Sequence, residues 1–297
     1  MLSIIIITFN SQKFIKSCLD SVFSQDYPGY EVIVIDNGSQ DKTPGFIKEN
    51  YPGVILIENK ENLGAAKARN QGIEIAQGRW ILTLDCDVVL EKDFLKKIME
   101  FAKESEGSVG MFQPKILKMD RKTIYSTGIH LSKLQRFYDI GKGKIDNGQF
   151  SSTKYIFGTC SASSLYRKKM LDEIRENTGY FDERFFFLVE DVDLSCRAQK
   201  IGWRGLYYPE AICYHAGNSS NNSKKLKQYL CWKNRKIFLR KYKFNIFQLL
   251  TILLLYDLPR LLFLFLTNSY VRNKMINKKA QLLTLARSNL GIKHLLL

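Results

Sequence analysis

Cysteine is scarce and scattered in this chain of 297 residues. Cys18, Cys86, Cys160, Cys196, Cys213 and Cys231 stand singly, with no Cys-x-x-Cys pair, so the sequence suggests neither a cysteine zinc site nor a secreted disulfide framework; a reducing cytoplasm fits it best. The start, MLSIIIITFN, lacks a basic leader, and its apolar run is too short for a signal peptide. It reads instead as a buried strand, in a first domain that stays in the cytoplasm. Internal repeats and low-complexity tracts are absent as well. Acid is missing from one region: Asn221 to Leu297 holds 16 basic residues against Asp257 alone, whereas Met1 to Ser220 holds 29 basic and 28 acidic residues. The net charge of +16 therefore belongs to the C-terminal quarter. The near-neutral first part argues against a nucleic-acid-binding body.

What is present alternates. Apolar β-branched runs (LSIIIIT, EVIVID, VILIEN, WILTLD) are separated by helical patterns over Gln12 to Ser24, Lys42 to Asn50 and Gly64 to Ala76. A β-α-β-α-β-α-β series predicts a mainly parallel central sheet flanked by helices, with ligands bound beyond the carboxyl ends of the strands. Polar clusters sit at those ends: Thr8-Phe9-Asn10, Asp36-Asn37-Gly38-Ser39 and Asp85-Cys86-Asp87. From Lys115 to Ser152 the pattern weakens into surface loops or short strands. After it, YIFGTCSASSLYRKKMLDEI reads as a strand entering a helix, and VEDVDLSCRAQKIGW as a helix preceded by acids. RGLYYPEAICYH then closes the domain.

Several of these clusters can carry chemistry, and each has a plainer reading. Asp85 and Asp87 at a strand end can hold a divalent cation against diphosphate oxygens, or be solvated loop acids. Asp36 can accept hydrogen bonds from a nucleobase or ribose, or close a local Asx turn. In NLGAAKARNQG, Gly64 allows close backbone approach to a ligand and Lys67 and Arg69 can meet phosphate, but an exposed basic helix face would look the same. Glu190, Asp191 and Asp193 follow an aromatic stretch whose bulk can raise a carboxylate's proton affinity; alternatively Asp191 caps the helix and its neighbours face solvent. His215, one of three histidines, is a metal ligand or a structural side chain.

Taken in order, IIIITFNS, EVIVIDNGSQD, NLGAAKARNQG, ILTLDCDVVL, GTCSASSLYRKKML, GYFDERFFFLVEDVDLSCRAQKIGW and YYPEAICYHAG resemble glycosyltransferase family 2 with the GT-A fold, and within it the rhamnosyltransferase-like branch. The resemblance covers roughly residues 1 to 220. It implies a nucleotide-sugar site formed by Thr8, Asn10, Asp36, Gly64, Lys67, Arg69, Asp85 and Glu190. It makes Asp87 the principal metal ligand with His215 and Asp85, the cofactor Mg2+ or Mn2+, and Asp191 the catalytic base. The activity implied is inverting transfer of one sugar from a nucleotide-diphosphate sugar, dTDP-rhamnose or a UDP-sugar, to a hydroxyl of a membrane- or lipid-linked glycan acceptor. The Gln-x-x-Arg-Trp motif of processive members does not occur, so one sugar per encounter is expected. A nucleotidyltransferase acting on sugar phosphates is the competing enzyme class, and a nucleic-acid-binding protein using the basic tail the non-enzymatic one.

Residues 221–297 are expected to form a basic and apolar helical extension that associates with membrane. Residues 224 to 243 hold nine basic side chains and no acid, interleaved with Leu226, Trp232, Ile237 and Phe238. Such a helix suits an anionic membrane surface. Ile246 to Leu266 is long enough to span a bilayer, but Asp257, Pro259 and Arg260 interrupt it, and central charges cost about 2.5 to 3.5 kcal/mol each on insertion. Two short apolar helices within Ile246 to Leu266 that dip into the interface are therefore preferred to a true span, with a kinked span, a hairpin or a helical lid packed on the domain as the alternatives. The expectation is a cytoplasmic protein, peripheral or monotopic on the inner face of the cell membrane, with no nucleic-acid partner.

Overall fold

In the computed structural model, described for residues 1–217 and 223–276, the expected alternation is present. Strand β1 (Leu2–Thr8) leads through helix α1 (Ile15–Phe23) to β2 (Tyr30–Asp36), then α2 (Thr43–Asn50), β3 (Ile55–Glu58), α3 (Ala65–Ile75) and β4 (Trp80–Asp85). These four strands are parallel in the order β3-β2-β1-β4. Strands β1 and β4 are buried almost throughout, which is why they read as unbroken apolar runs. Alternation along β1 divides the core: Ile4 and Ile6 pack with Leu19, Val22 and Ile98 on one face, and Ile5 packs with Ile81, Tyr166 and Leu194 on the other.

The sheet then extends past β4. A short β5 (Val88–Leu90) and α4 (Phe94–Glu104) precede the ten-residue β6 (Val109–Lys118). Three short strands, β7 (Ile124–Ser126), β8 (Ile129–Leu131) and β9 (Phe137–Asp139), lead to β10 (Lys154–Ile156), β11 (Ser163–Arg167), α5 (Lys168–Glu173), α6 (Glu190–Lys200) and β12 (Arg204–His215). Strand β11 runs antiparallel between β4 and β6, and β12 lies parallel to β6. One expectation is corrected here: Lys115 to Lys118 complete a long sheet strand, buried as far as Leu117, and irregular chain begins only after it. The pair β8 and β9 forms a separate two-stranded sheet.

The chain divides into two compact units, residues 1–221 and 222–297. Within the described part of the second, α7 (Lys224–Lys241) precedes α8 (Ile246–Ile252), a π-helical turn at Leu253–Asp257, and α9 (Leu258–Thr267). Ser223 caps α7 by accepting from the Leu226 N–H at 3.2 Å. Asn245 and Gln248 form a reciprocal capping box at the start of α8.

Candidate active site

Parallel register assembles the first part of the site. Thr8 is opposite Asp36 and Ile7 opposite Asp85, so the carboxyl ends of β1, β2 and β4 lie side by side. Asp87 follows on the turn into β5, and β5 pairs with the end of β12, where Val88 is opposite His215. Two chain segments 128 residues apart thus meet: His215 Nε2 lies 3.0 Å from Asp87 Oδ1 and 3.9 Å from Asp85 Oδ2. The second oxygen of Asp87 accepts from the Gly217 N–H at 2.9 Å.

One atom each from Asp85, Asp87 and His215 lies within 4.8 Å of the others. Two carboxylates and an imidazole are a donor set that a divalent cation of the Mn2+ or Mg2+ kind accepts, and their spacing fits one ion. His215 is only 4% exposed, its Nδ1 has no hydrogen-bond partner, and its ring rests on Tyr125 with centroids 4.2 Å apart. Nε2 is bonded to Asp87 while Nδ1 is left without a partner, an arrangement open to both a metal ligand and a structural histidine.

The second part is joined to the first by Arg69. This buried guanidinium donates to Asp85 Oδ1 at 2.7 Å and to Glu190 Oε1 at 2.8 Å. Glu190 is itself 3% exposed, and burial raises its carboxyl's proton affinity while Arg69 opposes the rise. Asp191, next in the chain, is half-buried. It accepts from its own helix at the Val192 N–H (2.9 Å) and more loosely from the Ser161 N–H (3.4 Å). Burial, aided by the charges of Glu190 and Asp139, pushes its carboxyl up to about 7. Asp191 sits in the first turn of α6; the N-cap is Val189.

The loop that presents these acids is strained. Phe186, Leu188 and Val189 all have positive φ, at 60°, 69° and 77°. A β-branched residue in the left-handed region is a true outlier, and such strain gathers at functional sites. The packing that sustains it involves Gly64: a Cβ there would lie 2.5 Å from the Phe186 ring and 2.6 Å from its carbonyl oxygen.

Other expected residues are placed differently. What approaches Gly64 is therefore the chain's own Phe186, whose carbonyl also accepts from the Ala66 N–H. Arg69, expected to meet phosphate, has both terminal nitrogens committed to Asp85 and Glu190. Lys67 pairs with Glu183 at 3.0 Å and lines an open depression of about 550 Å³ with Asn70, Glu74 and Arg175, apart from Asp85, Asp87 and His215. Glu190 and Asp193 do not face solvent as the plainer reading held, since Asp193 is fully buried on Arg197 at 2.8 Å. Asp36 does form the Asx turn, accepting from the Ser39 N–H and hydroxyl at 2.9 and 2.6 Å, and is buried at the strand end beside Thr8. Asn10, with φ of 49°, accepts from the Gln40 N–H at 2.8 Å. Tyr125, Ser161 and Asp139 had no signal in the sequence: their neighbours in the site are remote in the chain.

Residues 3–175 match the family model Glycosyl transferase family 2. The chain is 30% identical, over 82% of its length and 76% of the relative's, to dolichyl N-acetyl-α-D-glucosaminyl phosphate 3-β-D-2,3-diacetamido-2,3-dideoxy-β-D-glucuronosyltransferase of Methanococcus voltae. Among solved structures it resembles the mannosyltransferase PcManGT of Pyrobaculum calidifontis in complex with GDP-Man and Mn2+, at a TM-score of 0.60 and 18% identity, covering 95% of this chain and 80% of that one. It also resembles S. aureus TarS, at a TM-score of 0.56 and 20% identity, where 78% of this chain spans only 39% of the other. At these identities the structural likeness carries the fold alone, which is GT-A.

Proposed function

The chain belongs to glycosyl transferase family 2, and on that premise we propose that it transfers one sugar at a time from a nucleotide-diphosphate sugar to a hydroxyl of a lipid-linked or membrane-associated glycan, with inversion at the anomeric carbon. The observation that supports this most is the single guanidinium of Arg69, which ties Asp85 of the metal-ligating trio to Glu190, the neighbour of Asp191. A cation site and a carboxylate titrating near neutrality are thereby held in one rigid unit.

In this reading Asp87, Asp85 and His215 hold the cation, and the imidazole among them favours Mn2+ over Mg2+, which prefers oxygen alone. Bound there, the ion would neutralise charge on the leaving diphosphate. Thr8, Asn10 and Asp36 contact the nucleoside at the strand ends, in keeping with ligand sites of parallel sheets. Asp191 takes the proton of the acceptor hydroxyl as that oxygen bonds to the sugar, so one displacement suffices and inversion follows. Arg69 acts through Asp85 and Glu190. The donor is a UDP-sugar or dTDP-rhamnose.

The acceptor class rests on two supports. The Methanococcus voltae relative is named for a dolichyl-linked sugar phosphate, and residues 224–266 here combine basic charge with an apolar helix suited to an anionic membrane surface at the cytoplasmic face. Incubating the protein with UDP-, dTDP- and GDP-sugars, Mn2+ and a membrane lipid extract tests the reading. Release of nucleoside diphosphate with a labelled lipid product is expected; pyrophosphate release, the mark of a nucleotidyltransferase, would overturn it.

A further inference from the structure

We infer that Arg235 and Asp257 form a built-in charge latch that allows the apolar helix of the second unit to seat in an anionic lipid surface. This rests on the membrane reading above and names the device that makes it physically possible. Ile246–Thr267 is one continuous helix of 22 residues with a mean hydropathy of 2.0, and only 11% of its apolar window is buried. Its exposed residues Phe247, Leu250, Leu254, Leu258, Leu262 and Leu266, three or four positions apart, run along the whole helix, and Leu249, Leu255 and Phe263 beside them widen the exposed apolar face. An apolar stripe of this length, beside the basic helix α7, fits a lipid surface bearing negative headgroups.

Asp257 in mid-helix is the obstacle, because a lone carboxylate at that depth opposes insertion. The structure removes it from the lipid-facing side. Arg235 of α7 donates through Nε to Asp257 Oδ1 at 2.6 Å and lies over the Tyr256 ring at 4.6 Å. Arg235 is only 5% exposed. Ten and seven residues earlier in α7, the Lys225 carbonyl and the Gln228 side chain accept from Asn268, each at 3.0 Å. The two helices therefore run antiparallel as a hairpin, with Phe238, Ile252, Leu264 and Val271 buried in the unit.

The π-helical turn at Leu253–Asp257 accounts for the alignment. Ile252 and Asp257 are five residues apart, which at about 3.6 residues per turn would put them on different faces. The wider π turn returns Asp257 to the side that faces Arg235, and such turns occur often at functional sites.

The test is vesicle co-sedimentation of the full chain with phosphatidylcholine vesicles containing phosphatidylglycerol. Arg235→Ala strands the acid, whereas Lys233→Ala removes the same single charge from an exposed position. Arg235→Ala is expected to weaken binding by about tenfold or more, because the unpaired carboxylate opposes seating. Lys233→Ala should weaken it by roughly fivefold at most, the value of one surface charge. Asp257→Asn should bind no less tightly than the wild type, and Arg235→Ala combined with Asp257→Asn should return to the Lys233→Ala level. That recovery separates a latch from simple misfolding of the hairpin. If Arg235→Ala binds as well as Lys233→Ala, or the double variant stays as weak as Arg235→Ala, the latch is wrong. If the wild type itself ignores these vesicles, the membrane reading falls and the latch with it.

Discussion

Replacing Asp191 by Asn separates what this carboxylate does for turnover from what it costs the fold. Asn keeps one of the two oxygens, enough to accept from the Val192 N–H at 2.9 Å while giving up the looser 3.4 Å bond that the second oxygen accepts from the Ser161 N–H, and it neither takes a proton nor carries charge. With the carboxyl moved from 3.8 to about 7, the folded chain between pH 4 and 7 holds a proton that the unfolded chain has released. Stability should therefore fall as pH rises through that window, and the penalty is complete above it. At about 1.36 kcal/mol per unit the ceiling is about 4 kcal/mol. Because Asp191 keeps an edge open to solvent, a gain of about 1 to 3 kcal/mol is the expectation for Asp191→Asn at pH 8, shrinking toward zero near pH 4. Urea melts at the two pH values measure it. Turnover moves the other way: kcat should drop by about 10² or more, and the wild type's rise of about tenfold per unit below pH 7 should disappear. A variant with normal kcat, or one no more stable than wild type at pH 8, would refute the argument.

Three further outcomes are expected. Asp87→Asn retains an acceptor for the Gly217 N–H but weakens the cation site. Mn2+ affinity, read by EPR with nucleoside diphosphate present, should fall by more than the roughly 10- to 100-fold typical of an outer partner; chelation of the wild type should stop turnover until Mn2+ is restored. Asn is the better probe than Ala because Asp87 is buried and bonded, not a solvated loop acid. Arg69→Met strands the buried Glu190 and leaves the partly exposed Asp85 without its cation, and should cost about 3 to 5 kcal/mol in urea melts. Gly64→Ala combines a φ of +89° with a Cβ 2.5 Å from Phe186, and should lower stability by about 2 kcal/mol or more in the same measurement.

The sheet was legible because β1, β2 and β4 are buried on both faces, so their apolar runs are unbroken. Asp36, Asp85 and Asp87 could be placed at strand ends because polar residues follow those runs directly. The destiny of Arg69 could not be read: in sequence it is one basic residue on a helix face, and only packing across 121 positions shows that it is bonded to Glu190. The bend at Phe186 to Val189 was equally hidden, since left-handed backbone is signalled by Gly or Asn and here falls on Phe, Leu and Val. The partner of Asp257 was hidden for the same reason as that of Arg69. Composition counts a charge inside an apolar helix, whereas its balance depends on a partner 22 residues away across a hairpin.

The proposed reaction is a single displacement at the anomeric carbon of a nucleotide-diphosphate sugar, with Asp191 as base. Proton NMR of the transferred glycoside, made with whichever donor supports turnover, tests it most directly through the anomeric coupling constant. A product of anomeric configuration opposite to the donor's is expected. A product that retains the donor's configuration would contradict it.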